Sequence, residues 1–431
     1  MRVSSGMIFD AGVAGINRNT SSLLHLQQQI SSNRRILTPS DDPVAAARAL
    51  EVQQASDVVA QFSQNRDAAL YSLGLEEGQL DSATGVLSRV RELAIQAGGS
   101  SLTASQRQTI SIELRSRFNE LLGIANASDG SGQHIFSGFM GATTPFSGAV
   151  DNLLAGNEIV YQGDEGQRTL QVSPGRLLEV SDSGVDVFLR IRDGNGYFAA
   201  DYASSNTGAG AIAVTTVTDP SAWTASATKN VAINFTVTGP VTTYDLVNTA
   251  TGNSLLTGGA APAPTVNQRV FQSGQPIVLK SQGSEPVFDL GGSLVITGAP
   301  GSGDNFSVTP SASQSVFATV AKLIGALEAP VGTPGADAKY LSEINFAVSN
   351  LDRASGNILR VRAQIGSRMN EISSLDDLNA NLQLQYQQTL SGLQDVDLAK
   401  AISDLTRKQT DLQAAQQSFV NISRLSLFNF L

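Results

Sequence analysis

Apolar residues recur every seven positions near both ends of this 431-residue chain. Near the N-terminus the series consists of Ile16, Leu23, Ile30 and Leu37. Leu26 lies within it, whereas polar Asn19 and Asn33 fill other inward positions. This spacing is typical of a helix that packs along one stripe against another helix. The sequence therefore predicts an N-terminal helix with a weak coiled-coil seam.

The C-terminal end carries a second series of the same kind, made of Leu398, Leu405, Leu412 and Phe419. Ile402 falls in the same seam, but Gln409 and Gln416 occupy its next two inward positions. The last seven residues add five large apolar side chains without a charge, at Leu425, Leu427, Phe428, Phe430 and Leu431. Such a tail has no core of its own to enter, so we expect neighbouring subunits to bury it.

A longer helical pattern precedes this C-terminal seam. Eight of its ten inward heptad positions are apolar, and the ten are Leu341, Ile344, Val348, Leu351, Ser355, Ile358, Arg362, Ile365, Met369 and Ile372. The pattern continues with a phase shift through Leu375, Leu378 and Leu382. The sequence predicts one long helix here.

The segment "TPSDDPVAAARAL" at positions 38–50 marks the start of another helix. Ser40, Asp41 and Asp42 carry side-chain oxygens that can accept hydrogen bonds from the free N–H groups of a helix N-terminus. Pro43 suits the first helical position, where its missing N–H is not needed. We predict a helix that begins at Pro43 with Asp42 as its N-cap. A cation site or a catalytic role for the two carboxylates is the less favoured interpretation.

Two helices follow this start. An apolar pattern runs from Val44 through Leu50 and Val58 to Leu93, and it pauses at Gly98-Gly99. A further helix is predicted over residues 105–127, before the glycine-rich segment "SDGSGQHIFSG".

The middle of the chain, residues 146–310, has the pattern of β structure. In "AINFTVTG", Ile233, Phe235 and Val237 alternate with polar residues, and "VDVFLRIRD" and "SLVITG" are predicted to be further strands. The segment at 258–268 is rich in proline and alanine and is predicted to be a surface loop. Short strands with frequent turns favour an antiparallel sandwich or a barrel-like domain.

The order of these regions predicts an α+β multidomain fold in which a β-rich domain is inserted between two helical arms. Each arm has an apolar stripe that is too long to remain in water, so the arms most simply pack against each other. The two ends of the chain are then expected to lie side by side.

Composition excludes several classes of function. The formal net charge is −10, whereas binding to nucleic acid or to an anionic membrane surface requires a basic face. The chain has no cysteine, and its two histidines lie in different segments, which argues against a zinc enzyme. The first residues lack the apolar core of a secretory signal peptide, and no stretch is long and apolar enough to span a membrane.

No catalytic constellation with useful spacing is present in the sequence. "GDEGQ" and "GAPGSGDNF" lack the context of a phosphate-binding loop and are predicted to be turns. His134 has no partner acid or nucleophile nearby in sequence, so a structural role is predicted. Asp395, Asp397 and Asp404 lack the spacing of a calcium loop. We predict a protein that is not an enzyme and needs no cofactor.

Several segments near the two ends resemble the hook-filament junction proteins of bacterial flagella, a flagellin-like family. They are "TPSDDPVAAARAL", "RELAIQAGG", "ANASDGSGQHIFSGF" and "DLAKAISDLTRKQTDLQAAQQSFVNISRLSLFNFL". The resemblance covers residues 1–145 and 310–431, and it extends more loosely through "YQGDEGQRTLQVSPG" and "GVDVF". The family motif falls on Pro39, Ser40, Asp41, Asp42 and Pro43. The threonine-, alanine- and glycine-rich stretch at 200–265 departs from the family pattern.

The resemblance implies a flagellin-like antiparallel coiled coil or bundle built from both termini. Its domains would be residues 1–40 with 395–431 as inner helices, 41–145 with 311–394 as a helical bundle, and 146–310 as the outer β-rich insert. The function implied is that of a structural adaptor between hook and filament. The residues expected at subunit contacts are Ile16, Leu23, Ile30, Leu37, Leu398, Ile402, Leu405, Leu412, Phe419, Ile422, Leu425, Leu427, Phe428, Phe430 and Leu431.

The partners implied are copies of the same chain in a junction ring, the adjoining hook-associated junction protein, flagellin, and a cytoplasmic export chaperone. The location implied is the extracellular flagellum, reached by type III export without a cleaved signal peptide. Three alternatives stay open. One is a filament flagellin, against which "SRLSLFNFL" and "PSDDP" argue. The others are a secreted coiled-coil adhesin, which the polar interruptions of the end helices disfavour, and a β-domain enzyme, which the missing acid/base cluster disfavours.

Overall fold

The structure is a computed structural model that describes residues 5–99 and 102–428. In this part of the chain there are eight α-helices: α1 (Ser5–Ser32), α2 (Pro43–Ala97), α3 (Ala104–Ala125), α4 (Val150–Leu154), α5 (Pro220–Ala225), α6 (Val316–Glu328), α7 (Pro334–Gln394) and α8 (Leu398–Phe428). The α+β class predicted from the sequence is confirmed. The long helices lie at the two ends, with the strands between them.

The strands lie between residues 146 and 314. They are β1 (Phe146–Ser147), β2 (Val160–Tyr161), β3 (Thr169–Ser173), β4 (Arg176–Glu179), β5 (Ile191–Arg192), β6 (Phe198–Tyr202), β7 (Ala211–Val217), β8 (Val231–Thr238), β9 (Val241–Asn248), β10 (Asn253–Ser254), β11 (Arg269–Val270), β12 (Pro276–Lys280), β13 (Asp289–Thr297), β14 (Asn305–Pro310) and β15 (Ser313–Gln314).

The chain divides into two compact units. The first comprises Met1–Asp67, Gln171–Arg176 and Ile372–Leu431, and the second comprises Ala68–Leu170 and Leu177–Glu371. The first unit therefore contains α1, α8, the beginning of α2, the end of α7 and the tip of the β3–β4 hairpin. The three-part division that the sequence suggested stays a prediction.

The helical part of the second unit is built on α2 and α7, which run antiparallel there. Arg91 Nε donates to Asp352 Oδ1 at 2.5 Å, and Tyr340 Oη donates to the carbonyl oxygen of Ala97 at 2.7 Å. On α7 the buried heptad positions include Ile344, Leu351, Ile358, Ile365 and Ile372, as the sequence predicted.

The intermediate positions of this seam were predicted one residue too late. Ala347, Ala354 and Val361 are buried in place of Val348, Ser355 and Arg362. Leu341, which was also expected inside, is exposed. Arg362 instead reaches Glu77 Oε1 at 2.6 Å. Ala347, Ala354 and Val361 are small and uncharged, so their burial lets α2 and α7 approach each other. The charged guanidinium of Arg362 is more stable beside a carboxylate near solvent than inside the seam.

The β-rich part contains two main antiparallel sheets. One has the strand order β10-β9-β8-β14-β6, with β11 added beside β9, and the other has the order β12-β13-β7. Both sheets contribute to a single core, which includes Phe198, Ile233, Leu246, Leu294 and Phe306. The predicted strands at "AINFTVTG" and "SLVITG" are confirmed as β8 and part of β13.

One predicted strand is wrong. In "VDVFLRIRD", Val185–Leu189 forms a π-helical turn, and a strand follows only at Ile191–Arg192. Val187 and Phe188 are both buried, which strand alternation on one face does not permit. Asn357 Nδ2 donates to the carbonyl oxygens of Asp186 and Val187 at 2.8 and 3.0 Å, so the carbonyls of this wide turn find a donor.

Candidate functional site

The two ends of the described chain pair as antiparallel helices within the first unit. The rings of Phe9 on α1 and Phe419 on α8 lie with their centroids 4.9 Å apart. At the other end of the pair, the Arg35 N–H donates to the carbonyl oxygen of Gln394 at 2.6 Å. Gly12 packs against the Phe419 ring so closely that a Cβ there would come within 2.7 Å of it. The pairing of the two ends was predicted from their matching apolar stripes.

Most of the predicted seam residues face this pairing. Ile16, Leu23 and Ile30 on α1 are half-buried, as are Leu405, Leu412 and Phe419 on α8. Leu37 is half-buried in the connection after α1. These side chains are not closed off from water in the monomer, which fits the weak seam expected from the sequence.

Other seam positions were predicted wrongly. Leu398 and Ile402 are exposed to 45% and 53%, and Ala401 is buried in their place. Gln409 and Gln416 are exposed, and the preceding residues on α8, Lys408 and Ala415, are half-buried in their place. Small alanine side chains let the two helices approach closely, and polar glutamines remain hydrated at lower cost outside the seam.

Asn33 does not occupy a seam position, because α1 ends at Ser32. Its φ of 55° lies in the left-handed region, which asparagine tolerates better than most residues. The Asn33 carbonyl oxygen accepts a hydrogen bond from the Val396 N–H at 3.3 Å. This asparagine therefore ends the helix and contacts the segment before α8.

The structure leaves part of the predicted C-terminal contact set undescribed. Ile422, Leu425, Leu427 and Phe428 belong to α8, but the structure does not describe their side chains. Phe430 and Leu431 lie outside the described residues. Their role at subunit contacts remains a prediction.

The Pro39–Pro43 motif forms a capped turn that leads into α2. This helix begins at Pro43, and Asp42 Oδ1 accepts a hydrogen bond from the Ala45 N–H at 3.0 Å. Asp42 therefore acts as the N-cap. Asp41 does not cap the helix, because its Oδ2 accepts from the N–H groups of Leu37 and Thr38, both at 2.9 Å. Ser40 contacts only the hydroxyl of Thr38 among the hydrogen bonds of this turn, at 2.7 Å.

Asp41 also connects the turn to α1. Its Oδ1 lies 3.2 Å from Nε2 of His25. The backbone hydrogen bonds from Thr38 and Leu37, followed by the nearby His25, lower the pKa of the Asp41 carboxyl. The ionised form of Asp41 is thus the one that holds the turn.

The first unit exposes more large apolar side chains than it buries. Eleven of its described residues form what we call the terminal apolar surface: Met7, Phe9, Leu24, Val44, Leu50, Val58, Leu378, Leu384, Leu398, Ile402 and Val420. Seven apolar residues of the same unit are buried, and three of these are alanines: Ala45, Ala49, Val59, Phe62, Val172, Ile372 and Ala401. Val44, Leu50 and Val58 had been assigned to the inward pattern of α2, and the structure places them outside. Large apolar side chains that stay exposed in the monomer can be buried by other molecules.

A buried arginine in the first unit escaped the sequence analysis. Arg66 on α2 is 1% exposed, its Nε donates to Asp376 Oδ1 at 2.5 Å, and its Nη1 donates to the Val172 carbonyl oxygen at 3.0 Å. Arg66 follows Val59 by seven residues and precedes Leu73 by seven. Its place in this heptad series is the sequence feature that could have indicated that Arg66 is buried. The arginine holds the tip of the β3–β4 hairpin and α7 against α2.

Side chains that could suggest chemistry have structural partners. Nδ1 of His134 lies 2.7 Å from the Asn126 carbonyl oxygen. Asp395 accepts from the Ser391 hydroxyl at 2.6 Å, Asp397 from the Lys400 N–H at 3.1 Å, and Asp404 pairs with Arg407 at 2.9 Å. Among residues 5–99 and 102–428, no group of three or more His, Asp or Glu side chains is placed to hold a metal ion. None of the helices in the described ranges has the length and apolar character to cross a bilayer.

Two families match the chain at the ends where its long helices lie. The bacterial flagellin N-terminal helical region matches residues 3–140, and the bacterial flagellin C-terminal helical region matches residues 348–431. Together these matches include α1, α2, α3, α8, the Pro39–Pro43 motif and most of α7. The flagellin-like plan inferred from the sequence is confirmed.

Similarity over the full length separates two kinds of relative. The Bacillus subtilis flagellin is 27% identical over 187 residues, which cover 43% of this chain and 58% of that flagellin. The flagellar hook-associated protein 3 of Salmonella typhimurium is 23% identical over 429 residues, which cover 99% of each chain. The crystal structure of flagellar hook-associated protein 3 from Legionella pneumophila is 30% identical with a TM-score of 0.69, covering 79% of this chain and 98% of that one. The chain therefore belongs to the family of flagellar hook-associated protein 3.

Proposed function

We propose that this chain is a structural adaptor that joins the bacterial flagellar hook to the flagellin filament and assembles through its terminal helices. The observation that carries the proposal is the similarity to a flagellar hook-associated protein 3 over 99% of both chains, where a flagellin matches less than half of this chain. The alternative of a filament flagellin is disfavoured on that ground.

The terminal apolar surface supplies the physical basis for assembly. A unit whose described residues include eleven exposed large apolar side chains gains stability when neighbouring subunits remove them from water, at roughly 25 cal/mol per Å² of apolar area. The half-buried seam between α1 and α8 can rearrange or tighten during that process. We propose that Ile16, Leu23, Ile30, Leu37, Leu405, Leu412 and Phe419 stabilise the helix pair and that Leu398 and Ile402 contact neighbours.

The partners proposed are further copies of this chain in a junction ring, an adjoining hook-associated protein and flagellin. A cytoplasmic chaperone that holds the C-terminal part before export is proposed as well. The location is the flagellum outside the cell, reached without cleavage of a signal peptide. We propose a non-catalytic protein, since carboxylates that the sequence raised as candidates, such as Asp42 and Asp395, are engaged in a helix cap and a local hydrogen bond.

Electron microscopy of cells that lack the gene tests this function. The expected result is hooks without filaments, together with flagellin in the culture medium, and both should be reversed by the wild-type gene in trans. Filaments of normal number on cells without the gene would contradict the adaptor function. Hooks and filaments that are both missing would place the protein earlier in assembly.

A further inference from the structure

A loop of the second unit presents two large apolar side chains to solvent. In residues 137–142, which we call the knob loop, Phe139 is 69% exposed and Met140 is 48% exposed. Single exposed apolar residues are common on protein surfaces, but an adjacent phenylalanine and methionine are typical of contact sites. The pair belongs to neither the terminal apolar surface nor the core.

The knob loop is fixed from several sides. The Phe139 N–H donates to Asp164 Oδ1 at 2.9 Å, and the His134 N–H donates to the Gly141 carbonyl oxygen at 2.7 Å. Gly138 has a φ of 69°, and a Cβ at this position would overlap Asp164. One side of the Phe139 ring rests on Gly166. The ring is therefore held outward before any partner arrives, which lowers the entropic cost of binding.

A cavity that could receive such a side chain lies elsewhere in the second unit. It occupies about 290 Å³ between the end of α6 and the start of α7, which we call the α6–α7 groove. Ala326, Ala329, Pro330, Ala336 and Tyr340 form its apolar lining. The volume is just below the roughly 300 Å³ at which small-molecule pockets begin, so it suits one or two protein side chains better than a cofactor.

The charges at the knob loop and at the groove are opposite. Two carboxylates, Asp164 and Glu165, precede Gly166, which lies under the Phe139 ring. Glu165 pairs with Arg190, whose guanidinium also pairs with Asp186 at 2.9 Å, so carboxylates still outnumber the cation in this group. The groove has Lys322 and Lys339 at its rim, and the guanidinium of Arg107 lies 5.8 Å from the ring centre of Tyr340. Glu343 is the carboxylate of the groove lining, and it accepts a hydrogen bond from Tyr202 at 2.8 Å. Such complementarity favours one orientation of docking.

The knob loop and the groove cannot meet within one molecule. The residues just before the knob loop fold back on the segment that follows the C-terminal end of α3, where the Ile135 N–H donates to the Ala127 carbonyl oxygen at 3.0 Å. The groove lies at the N-terminal end of α3, where Arg107 approaches Tyr340. The 22 residues of α3 separate the two ends by about 33 Å at 1.5 Å per residue. We propose that the knob loop of one copy docks in the α6–α7 groove of a second copy.

This contact rests on the proposed self-assembly and adds a second interface to it, independent of the terminal helices. Different patches of the two copies meet, so the contact is heterologous and can extend through a ring or a helical array. Phe139 is the anchor in this arrangement, because aromatic side chains in small apolar pockets carry most of the binding energy of an interface.

Cross-linking tests the contact. Because the chain has no cysteine, the introduced thiols are the only ones that can react with the cross-linker. Full-length Met140→Cys and Ala336→Cys proteins are assembled together and treated with a short bis-maleimide. The expected product is a cross-linked dimer in the mixture that neither variant gives alone. A mixture of Val287→Cys with Ala336→Cys is the matched control, since Val287 is 97% exposed on the β-rich part.

The anchor is tested by adding Phe139→Ala to the Met140→Cys protein. The yield of cross-linked dimer should fall about tenfold or more, with little change in the melting temperature because the ring is already exposed. Val270→Ala, at a residue that is 63% exposed on β11, should leave the yield unchanged.

Four results would overturn the inference. Assembly of the full chain without the mixed product would contradict this contact and leave the proposed function intact, whereas a chain that stays monomeric at every concentration would contradict both. A dimer from Met140→Cys alone would mean a symmetric contact between knob loops. Finally, a photoreactive p-benzoylphenylalanine at position 139 should label residues 322–343 of a second copy on isolated flagella, and labelling of flagellin instead would assign a different occupant.

Discussion

Oε1 of Glu76 accepts a hydrogen bond from the backbone N–H of Asp182 at 3.2 Å, while Oε2 of the same carboxyl is buried without a hydrogen-bond partner. Glu76 lies on α2 and is fully buried. Burial, followed by the nearby charge of Asp182, raises the pKa of Glu76 well above its ordinary value of 4.5. The hydrogen bond from Asp182 and the charges of Arg368 and Arg168 oppose this shift. The net effect therefore favours the protonated form of the Glu76 carboxyl.

This arrangement predicts a pH dependence of stability for the second unit. The folded protein binds one proton more than the unfolded chain between pH 4.5 and the raised pKa, so stability falls as pH rises through that window. The slope for one proton is at most about 1.4 kcal/mol per pH unit. Glu76→Gln should remove this slope and stabilise the protein at pH 8, with little effect at pH 4.5. Urea denaturation at several pH values measures it.

The exposed residue Glu158, also in the second unit, supplies the matched control. Glu158→Gln should leave the pH slope of the free energy of unfolding unchanged. A Glu76→Gln protein with the wild-type slope would mean that Glu76 is ionised in the folded state, contrary to the effect of its burial.

The capped turn before α2 predicts different effects for neighbouring residues. Asp42→Ala removes the acceptor of the Ala45 N–H and should destabilise the start of α2 by about 1 kcal/mol. Ser40→Ala loses a contact with the Thr38 hydroxyl alone and should be close to neutral. Hydrogen exchange of the amides in the first turn of α2 measures both. Equal effects of the two substitutions would show that Asp42 is not the cap.

Two glycines of α1 make the helix pair testable. A Cβ at Gly12 would lie 2.7 Å from the Phe419 ring, whereas nothing lies within 4 Å of a Cβ at Gly15. Alanine should favour the helix at either position by roughly 0.5–1 kcal/mol. Gly15→Ala should therefore protect α1 from proteolysis, and Gly12→Ala should fail to do so because Phe419 must move. Protection by both substitutions alike would mean that α1 and α8 are not paired this way in solution.

The last seven residues provide a test of assembly separate from folding. Deleting residues 425–431 removes five large apolar side chains, each worth roughly 1.5–3 kcal/mol when fully buried. The melting temperature of the monomer should barely change, and the protein should still be exported. Attachment at the hook tip should be lost, with flagellin released into the medium. An unfolded truncated monomer, or normal filaments grown on it, would contradict the assembly role of this tail.

Local chemistry and the spacing of apolar residues made several features predictable. Asp42 and Pro43 defined the start of α2 because a cap and a fixed φ act within one turn. The seven-residue series of α1 and α8 indicated two helices that pair, and the alternation in "AINFTVTG" indicated β8. The resemblance at both ends indicated the family. These signals are local, so the sequence by itself determined them.

Tertiary structure decided which face of each helix is buried. The heptad pattern could not show whether Ala347 or Val348, or Ala401 or Ile402, faces the core. The choice between neighbouring positions depends on how the helix is rotated about its axis, and only packing against a partner helix fixes that rotation. It also could not reveal that Arg66 finds Asp376, or that the carboxyl of Glu76 lacks a partner on one oxygen, since these residues meet groups more than 100 positions away. The outward placement of Phe139 likewise depends on Asp164 and Gly166, whose contact with the knob loop exists only in the folded chain.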